Sequence, residues 1–567
     1  SPLTLRLPFA ARVGLVMLGA AGVLFPALGR AGLERAEIYF LDAARGMVES
    51  GDWLVPRYRG EPFFDKPALT YWLIAVAMEW LGPTAAAGRA VSSVAALCLL
   101  AATAWLGSRL LGRDAALAGT IALATSVAFM GFGRIAMSDM LLALFSTLAV
   151  GLAVRAWQAP AAWVLPLLGL VLGLGFLTKG PIALLLPGLG VALYSWPRRR
   201  SAWPVTPVSL GLGALLAVLV GLGWFALVYV RLGAGPLAHF FLRENLERFA
   251  AQTYDTGRGP LFYLGAYVSV GAPWSLLLAI AGWRAFRPRP ADPDSGGARF
   301  LLMWAALMLV PLGLARGKLD YYLLPLLPAL SLVCGRYFAL GGWTKGDRGM
   351  VRAALVLLAG ALASAPFLLA RVDPGWIDPE RRRLAVAAAV AAALALLVAA
   401  WLARPRVVLG TLAAASAGIA VVFTVVVVPG FLDDQPNRRI VRDVERALER
   451  RPSARVVVCQ DPTRVQRDIL FEARTAVEER CDLWAVASGR APAILLVRGE
   501  ESKSLRPARL RVRGRYRYLP ATALGLEAAG SVRPGRLFLL TNEGRRRSAR
   551  ARLMAATGRR STAHERR

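Results

Sequence analysis

Apolar residues in this chain fall in long unbroken runs rather than alternating with polar ones. Val208–Val230 and Val407–Val428 are the clearest, each near the ~20 residues a helix needs to cross a bilayer. Scanning for such runs predicts about thirteen spans, at 8–30, 87–108, 114–132, 139–157, 161–177, 181–196, 206–231, 260–283, 299–315, 320–341, 351–371, 384–403 and 407–430. The first, Phe9–Leu28, is too long for a signal-peptide core and lacks a small-residue cleavage site, so it reads as a retained span. The stretch 161–196 is split at Thr178-Lys179-Gly180-Pro181, where Gly-Pro suits a turn. YWLIAVAMEWLG (71–82) is too short to span and reads as an interfacial helix. The period over Glu34–Val48 predicts a helix with Ile38, Leu41, Ala44 and Met47 on one face and Glu37 at its border.

After Pro429 the pattern changes. DDQPNRRIVRDVERALER predicts an amphipathic helix, and the short runs ARVVVCQ, LWAVAS, AILLVRG, RYLP and LFLLTN predict strands. The expected organisation is a transmembrane domain over 1–431 with outer loops at 31–86 and 232–259, a soluble α/β domain over 432–544, and a basic, disordered tail over 545–567.

Composition agrees with a polytopic α-helical membrane protein: 56% hydrophobic residues, 18% charged, mean hydropathy +0.50. Charged residues usually make up about a quarter of a soluble chain. The net charge of +32 is assigned to an arginine background, loops facing anionic membrane lipids and the basic tail, so no nucleic-acid partner is expected. Cys98 and Cys334 fall in apolar spans, whereas Cys459 and Cys481 fall in the soluble part, where their spacing leaves pairing open.

Parity of the spans separates two faces. One carries the short, arginine-rich connections PRRRSAWP, RAFRPRPADPDSGGAR and WTKGDRG, and is cytoplasmic by the positive-inside rule. The opposite, outer face carries loops 31–86 and 232–259, and three of the chain's five lysines: Lys66, Lys179 and Lys318. Interfacial lysines arise by snorkelling, but three on one face suit a shared anionic ligand, since an ammonium meets a phosphate as a point charge. Asp139 opens a span on the same face, where it either caps the helix or works as a base, metal ligand or hydroxyl positioner. The loop LAHFFLRENLERF adds His239, Glu244, Asn245 and Arg248, and ARGKLDYYLLP adds Arg316, Lys318, Tyr321 and Tyr322. P-loop, G-x-S-x-G and H-E-x-x-H patterns are absent.

In order, ARGMVESGDWLVPRYRGEPFFDKPALTYWLIA, GRIAMSDMLL, GLGFLTKGPIALLLP, HFFLRENLERF and GKLDYYLLPLLPAL resemble bacterial glycosyltransferases of the ArnT/PMT type, over about residues 30–335. The resemblance implies a GT-C fold and a polyprenyl-phosphate sugar donor. ArnT transfers 4-amino-4-deoxy-L-arabinose from undecaprenyl phosphate to lipid A phosphates at the periplasmic face of the bacterial inner membrane. It further implies that Lys66 holds the donor phosphate, with Arg59, Arg248, Lys318, Tyr322 and Tyr39 as accompanying donor or lipid contacts, and that Glu37 and Asp139 are the catalytic carboxylates. The family's Asp-Glu pair is Ala36-Glu37 here, so the aspartate is missing. A cofactor is not obligatory; a divalent metal would sit on Asp65 and Glu244, an all-oxygen set. A monomer is expected. The competing readings are a polyprenyl-lipid transporter, a binding-only relative, and a mannosyltransferase-like enzyme with a different acceptor.

Overall fold

The computed structural model describes residues 7–29, 33, 35–198, 206–250, 257–259, 261–287, 295–372, 379–422, 437–458, 465–475, 477–479, 486, 492–498, 511–518 and 535–541. The chain divides into two compact units: Ser1–Gly29 with Tyr39–Ala365 and Arg382–Val427, and Arg30–Ile38 with Pro366–Arg381 and Val428–Arg567. Cys459, Cys481 and the basic tail lie outside the described residues.

The first unit is helical. Seven described helices are long and apolar enough to cross a membrane: Ala85–Leu110, Asp139–Gln158, Pro207–Leu232, Gly296–Leu314, Asp320–Leu340, Pro379–Leu402 and Pro405–Val422. This is a multi-pass membrane protein. Several other predicted spans are helical but interrupted. The run 260–283 becomes Phe262–Val270 and Ser275–Phe286, bent by 112°, because Pro273 in the break has no amide hydrogen to extend the ladder. The run 114–132 breaks at Thr125 and Ser126, whose hydroxyls donate to the carbonyls of Ile121 and Leu123. The split at 178–181 is real: one helix runs Val164–Lys179, the next Ile182–Ser195. Helix Val164–Lys179 packs backbone to backbone on Pro207–Leu232, since a Cβ on Gly169 would lie 1.8 Å from the Gly213 carbonyl oxygen.

The predicted helix in the first outer loop runs Arg35–Ser50 and buries Ile38, Leu41, Ala44 and Met47 together. A two-stranded hairpin follows, Arg57–Tyr58 with Glu61–Pro62. Its two-residue turn puts Arg59 at φ +54° and Gly60 at φ +83°, both positive as a type I′ hairpin requires. Helix Ala68–Leu81 buries Tyr71, Ile74, Ala75 and Met78 and exposes Trp80 and Leu81, a one-sided pattern in keeping with an interfacial helix.

Among the described residues, the second unit holds a five-stranded mixed sheet. In chain order its strands are β1 (Arg455–Val458), β2 (Val477–Glu479), β3 (Ala493–Arg498), β4 (Arg511–Tyr518) and β5 (Gly535–Thr541). Their spatial order is β2-β1-β3-β5-β4, with β1 parallel to β2 and β3, and β5 antiparallel to β3 and β4. Side chains alternate between faces: Val456, Val458, Ile494, Leu496 and Leu539 pack with Ile440, Val441 and Val444 of helix Asn437–Glu449. Val457, Leu495, Val497 and Leu540 form the opposite layer. β2 had no counterpart among the predicted strands, being too short and acidic to read as one; most of LWAVAS lies outside the described residues.

Candidate functional site

Five segments of the first unit wall a cavity of about 660 Å³. Asp139 begins helix Asp139–Gln158, where a carboxylate meets the positive end of the helix dipole. Lys179 ends helix Val164–Lys179, where an ammonium meets the negative end. The two are joined by a salt bridge, and their side chains are 4% and 12% exposed. The Lys179 ammonium also stands 4.8 Å from the centre of the Tyr322 ring, a cation–π contact on a cavity wall.

Gly180 makes this junction possible. At φ +73° and ψ −145° it occupies backbone space that side chains avoid, and its N–H closes the helix on the Phe176 carbonyl at 2.7 Å. A Cβ here would come within 2.5 Å of the Phe240 ring.

The second charged pair sits on a different part of the wall. Lys66, just before helix Ala68–Leu81, donates to the Asp65 carbonyl at 2.7 Å and lies 3.3 Å from the Glu244 carboxylate. Glu244 belongs to a π-helical segment, His239–Glu247, an irregularity common at functional sites. The wide turn is pinned by the Asn245 side chain, which donates to the Phe240 carbonyl at 2.7 Å. The same segment brings His239 Nε2 to 2.9 Å from the Asp65 carboxylate. Asp65, His239 and Glu244 each offer a ligand atom, all within 4.8 Å of one another. The expected all-oxygen pair is therefore corrected: an imidazole joins the two carboxylates, because the π-helical turn puts His239 beside Asp65. Much of the remaining wall is apolar, including Leu142, Ile182, Leu185, Phe241 and Leu312.

The other predicted residues take varied places. Lys318 is buried and donates to the Ala315 carbonyl, while its own carbonyl accepts from Arg258 at 2.9 Å. The adjoining wall is made by Ala315, Gly317 and Tyr322. Tyr39 and Arg59 come together away from the described wall. Tyr39 packs on Tyr58 and Phe63, Arg59 stacks over Tyr58 at 5.4 Å, and the Arg59 N–H donates to Asp42 at 2.8 Å. Glu37 is fully buried near the start of its helix, in the segment Arg30–Ile38 grouped with the second unit. The side chain of Arg248 lies outside the described residues.

The sequence reading missed one pairing and one residue of the site. Lys179 was visible as an outer-face lysine, but only folding shows that its partner is Asp139, 40 residues away. Phe240, packed beneath Gly180, carries no signal beyond its proximity to charged neighbours in the sequence.

Residues 65–224 match the family described as dolichyl-phosphate-mannose-protein mannosyltransferase. The undecaprenyl phosphate-alpha-4-amino-4-deoxy-L-arabinose arabinosyl transferase 1 of Sodalis glossinidius is 36% identical over 333 residues, 55% of this chain and 56% of that protein. The corresponding Pseudomonas paraeruginosa transferase is 33% identical over 353 residues, 59% of this chain and 61% of that protein. The chain thus aligns with little more than half the length of these curated relatives. In three dimensions, ArnT from Cupriavidus metallidurans bound to undecaprenyl phosphate superposes with a TM-score of 0.72 at 21% identity, covering 94% of this chain and 99% of that one. Its apo state gives 0.70 at 20% identity. The fold is accordingly the GT-C fold of ArnT, and the resemblance read from the motifs is borne out.

Proposed function

We propose that this chain is an integral-membrane glycosyltransferase that moves a sugar from a polyprenyl phosphate to a cell-envelope acceptor, inverting the anomeric carbon. The observation that carries the proposal is the pairing of Lys66–Glu244 and Lys179–Asp139 on one cavity whose wall is otherwise largely apolar. The sugar is 4-amino-4-deoxy-L-arabinose, the donor its undecaprenyl phosphate, and the acceptor a lipid A phosphate; the similar transferases named above support the sugar and donor. The site opens to the periplasm from the bacterial inner membrane, and the enzyme acts as a monomer. About thirteen spans and a periplasmic C-terminal α/β domain complete this reading.

The chemistry needs three things. An acceptor oxygen attacks the anomeric carbon, the bond from that carbon to the phosphate oxygen breaks, and polyprenyl phosphate leaves with the bonding pair. Lys66 and Lys179 stabilise charge gathering on the leaving phosphate. Asp139 takes the proton of a hydroxyl acceptor or positions one already anionic, and Glu37 is the other carboxylate assigned a catalytic role. Lys318 and Tyr322 support the donor from the neighbouring wall, and Arg59, Tyr39 and Arg248 act on the donor as lipid contacts. Asp65, His239 and Glu244 would hold a divalent cation, whose mixed nitrogen and oxygen donors suit zinc or manganese and whose charge would assist a leaving phosphate.

The test is reconstitution with undecaprenyl phosphate-linked aminoarabinose and lipid A, read by mass spectrometry. Transfer is expected from the parent and lost in Lys66→Ala and Asp139→Asn with folding intact. Movement of labelled lipid across vesicles without transfer would replace this reading with a transporter.

A further inference from the structure

The second unit contains a cavity of its own, about 410 Å³, lined by Asp443, Arg446, Arg450, Arg451, Arg513 and Thr541 together with Ala447. We propose that it is a binding site for a phosphate monoester or diphosphate, separate from the reaction site and independent of the proposed activity.

Three observations converge on it. Its lining carries four arginines and one aspartate, and that aspartate is 3.4 Å from Arg446. Like charges are gathered here from distant parts of the chain. Arg446 lies on helix Asn437–Glu449, Arg450 and Arg451 follow its last turn, and Arg513 comes from β4. Arg513 is placed by a β-bulge: Val512 pairs with Leu540 and Gly514 with Leu539, leaving Arg513 as the extra residue. Bulges bend a strand and re-aim a side chain.

The third observation points to a ligand. Thr541 ends β5, is 2% exposed and lines the cavity, yet its hydroxyl has no hydrogen-bond partner among the described residues. A buried hydroxyl without a partner is costly and calls for an explanation. A phosphate oxygen would accept its hydrogen while guanidinium forks took the others, the pairing in which arginine exceeds lysine. The helix end near Arg450 is the negative one, so attraction comes from the guanidinium groups and not from the dipole.

The test uses the full chain in phosphatidylcholine nanodiscs, with Lys66→Met in every sample to remove binding at the first cavity. Inorganic phosphate and short-chain phosphatidic acid are titrated by calorimetry. Arg450→Gln/Arg513→Gln is expected to weaken phosphate binding roughly tenfold or more. Arg404→Gln/Arg406→Gln, which removes equal charge elsewhere, should change it less than about twofold. Thr541→Val should weaken it several-fold without lowering the melting temperature, which keeps the test decisive if the double variant misfolds. Tighter binding of phosphatidic acid assigns a lipid headgroup, and equal binding assigns a free phosphate. Equal losses in the site and control variants, or no saturable binding, would overturn the proposal.

Discussion

Gly180→Ala is the substitution whose outcome the geometry fixes most closely. The backbone at φ +73° and ψ −145° lies where only glycine is comfortable, and holding alanine there costs about 1–3 kcal/mol. The added methyl also sits 2.5 Å from Phe240 Cζ and 3.0 Å from Cε1. That ring cannot swing aside easily: Phe240 is buried, with Phe241 at 5.0 Å and Phe225 at 5.2 Å between ring centres. Overpacking of this kind adds about 1–3 kcal/mol. The total expected loss is roughly 2–6 kcal/mol, accompanied by movement of Lys179 away from Asp139 and a fall in transfer. Equilibrium unfolding in mixed micelles measures the first part and a transfer assay the second. Phe240→Leu separates the two causes. In the Gly180→Ala background it should recover the steric share, leaving only the backbone cost, so the double-mutant cycle should show a favourable coupling of about 1–3 kcal/mol. A Gly180→Ala protein within about 0.5 kcal/mol of the parent, or strictly additive effects, would refute the reasoning.

Other outcomes follow from the charged groups. Lys179→Met leaves Asp139 buried without its ammonium and should cost up to about 3–5 kcal/mol, with Asp139→Leu/Lys179→Met more stable than Lys179→Met alone in the same unfolding assay. Asp52 has its pKa lowered below the ordinary 3.8. Burial opposes the shift, but bonds from Arg231 and the amides of Leu54 and Val55 outweigh it. Its contribution is present above the ordinary pKa and lost as pH falls through the depressed one. Because Arg231 is half-exposed, the effect is only about 0.5–1 kcal/mol, and acid melts of Asp52→Asn should lose correspondingly less stability than the parent. Zinc should raise the melting temperature of the parent, and His239→Ala should abolish that rise. An unchanged rise in His239→Ala would remove the histidine from the metal set.

The helical architecture was legible because membrane-length apolar runs leave few alternatives, and each predicted run does carry helix. What the runs could not show is where a helix stops inside apolar sequence. Thr125-Ser126 and Pro273 interrupt spans through individual hydrogen bonds or a missing amide, which an average over twenty residues erases. The site was legible through lysines rare in an arginine background and through an aspartate at a span edge. Its pairings were not, since Lys66 and Glu244 are 178 residues apart. The π-helical turn was equally hidden: LAHFFLRENLERF reads as an outer loop, yet the width of that turn is what sets His239 against Asp65.

Both lysines on the cavity are already engaged, each with a carboxylate from elsewhere in the chain. At rest the wall therefore presents dipoles rather than bare charge. A neutral or zwitterionic lipid finds little charge there to meet, while an anion competes with the two carboxylates for the ammonium groups. Admission thus becomes a competition among anions, in which a compact, doubly charged headgroup outranks a diffuse, singly charged one. Because the exchange takes place within a largely apolar enclosure, that ranking should respond far less to salt than a surface site would.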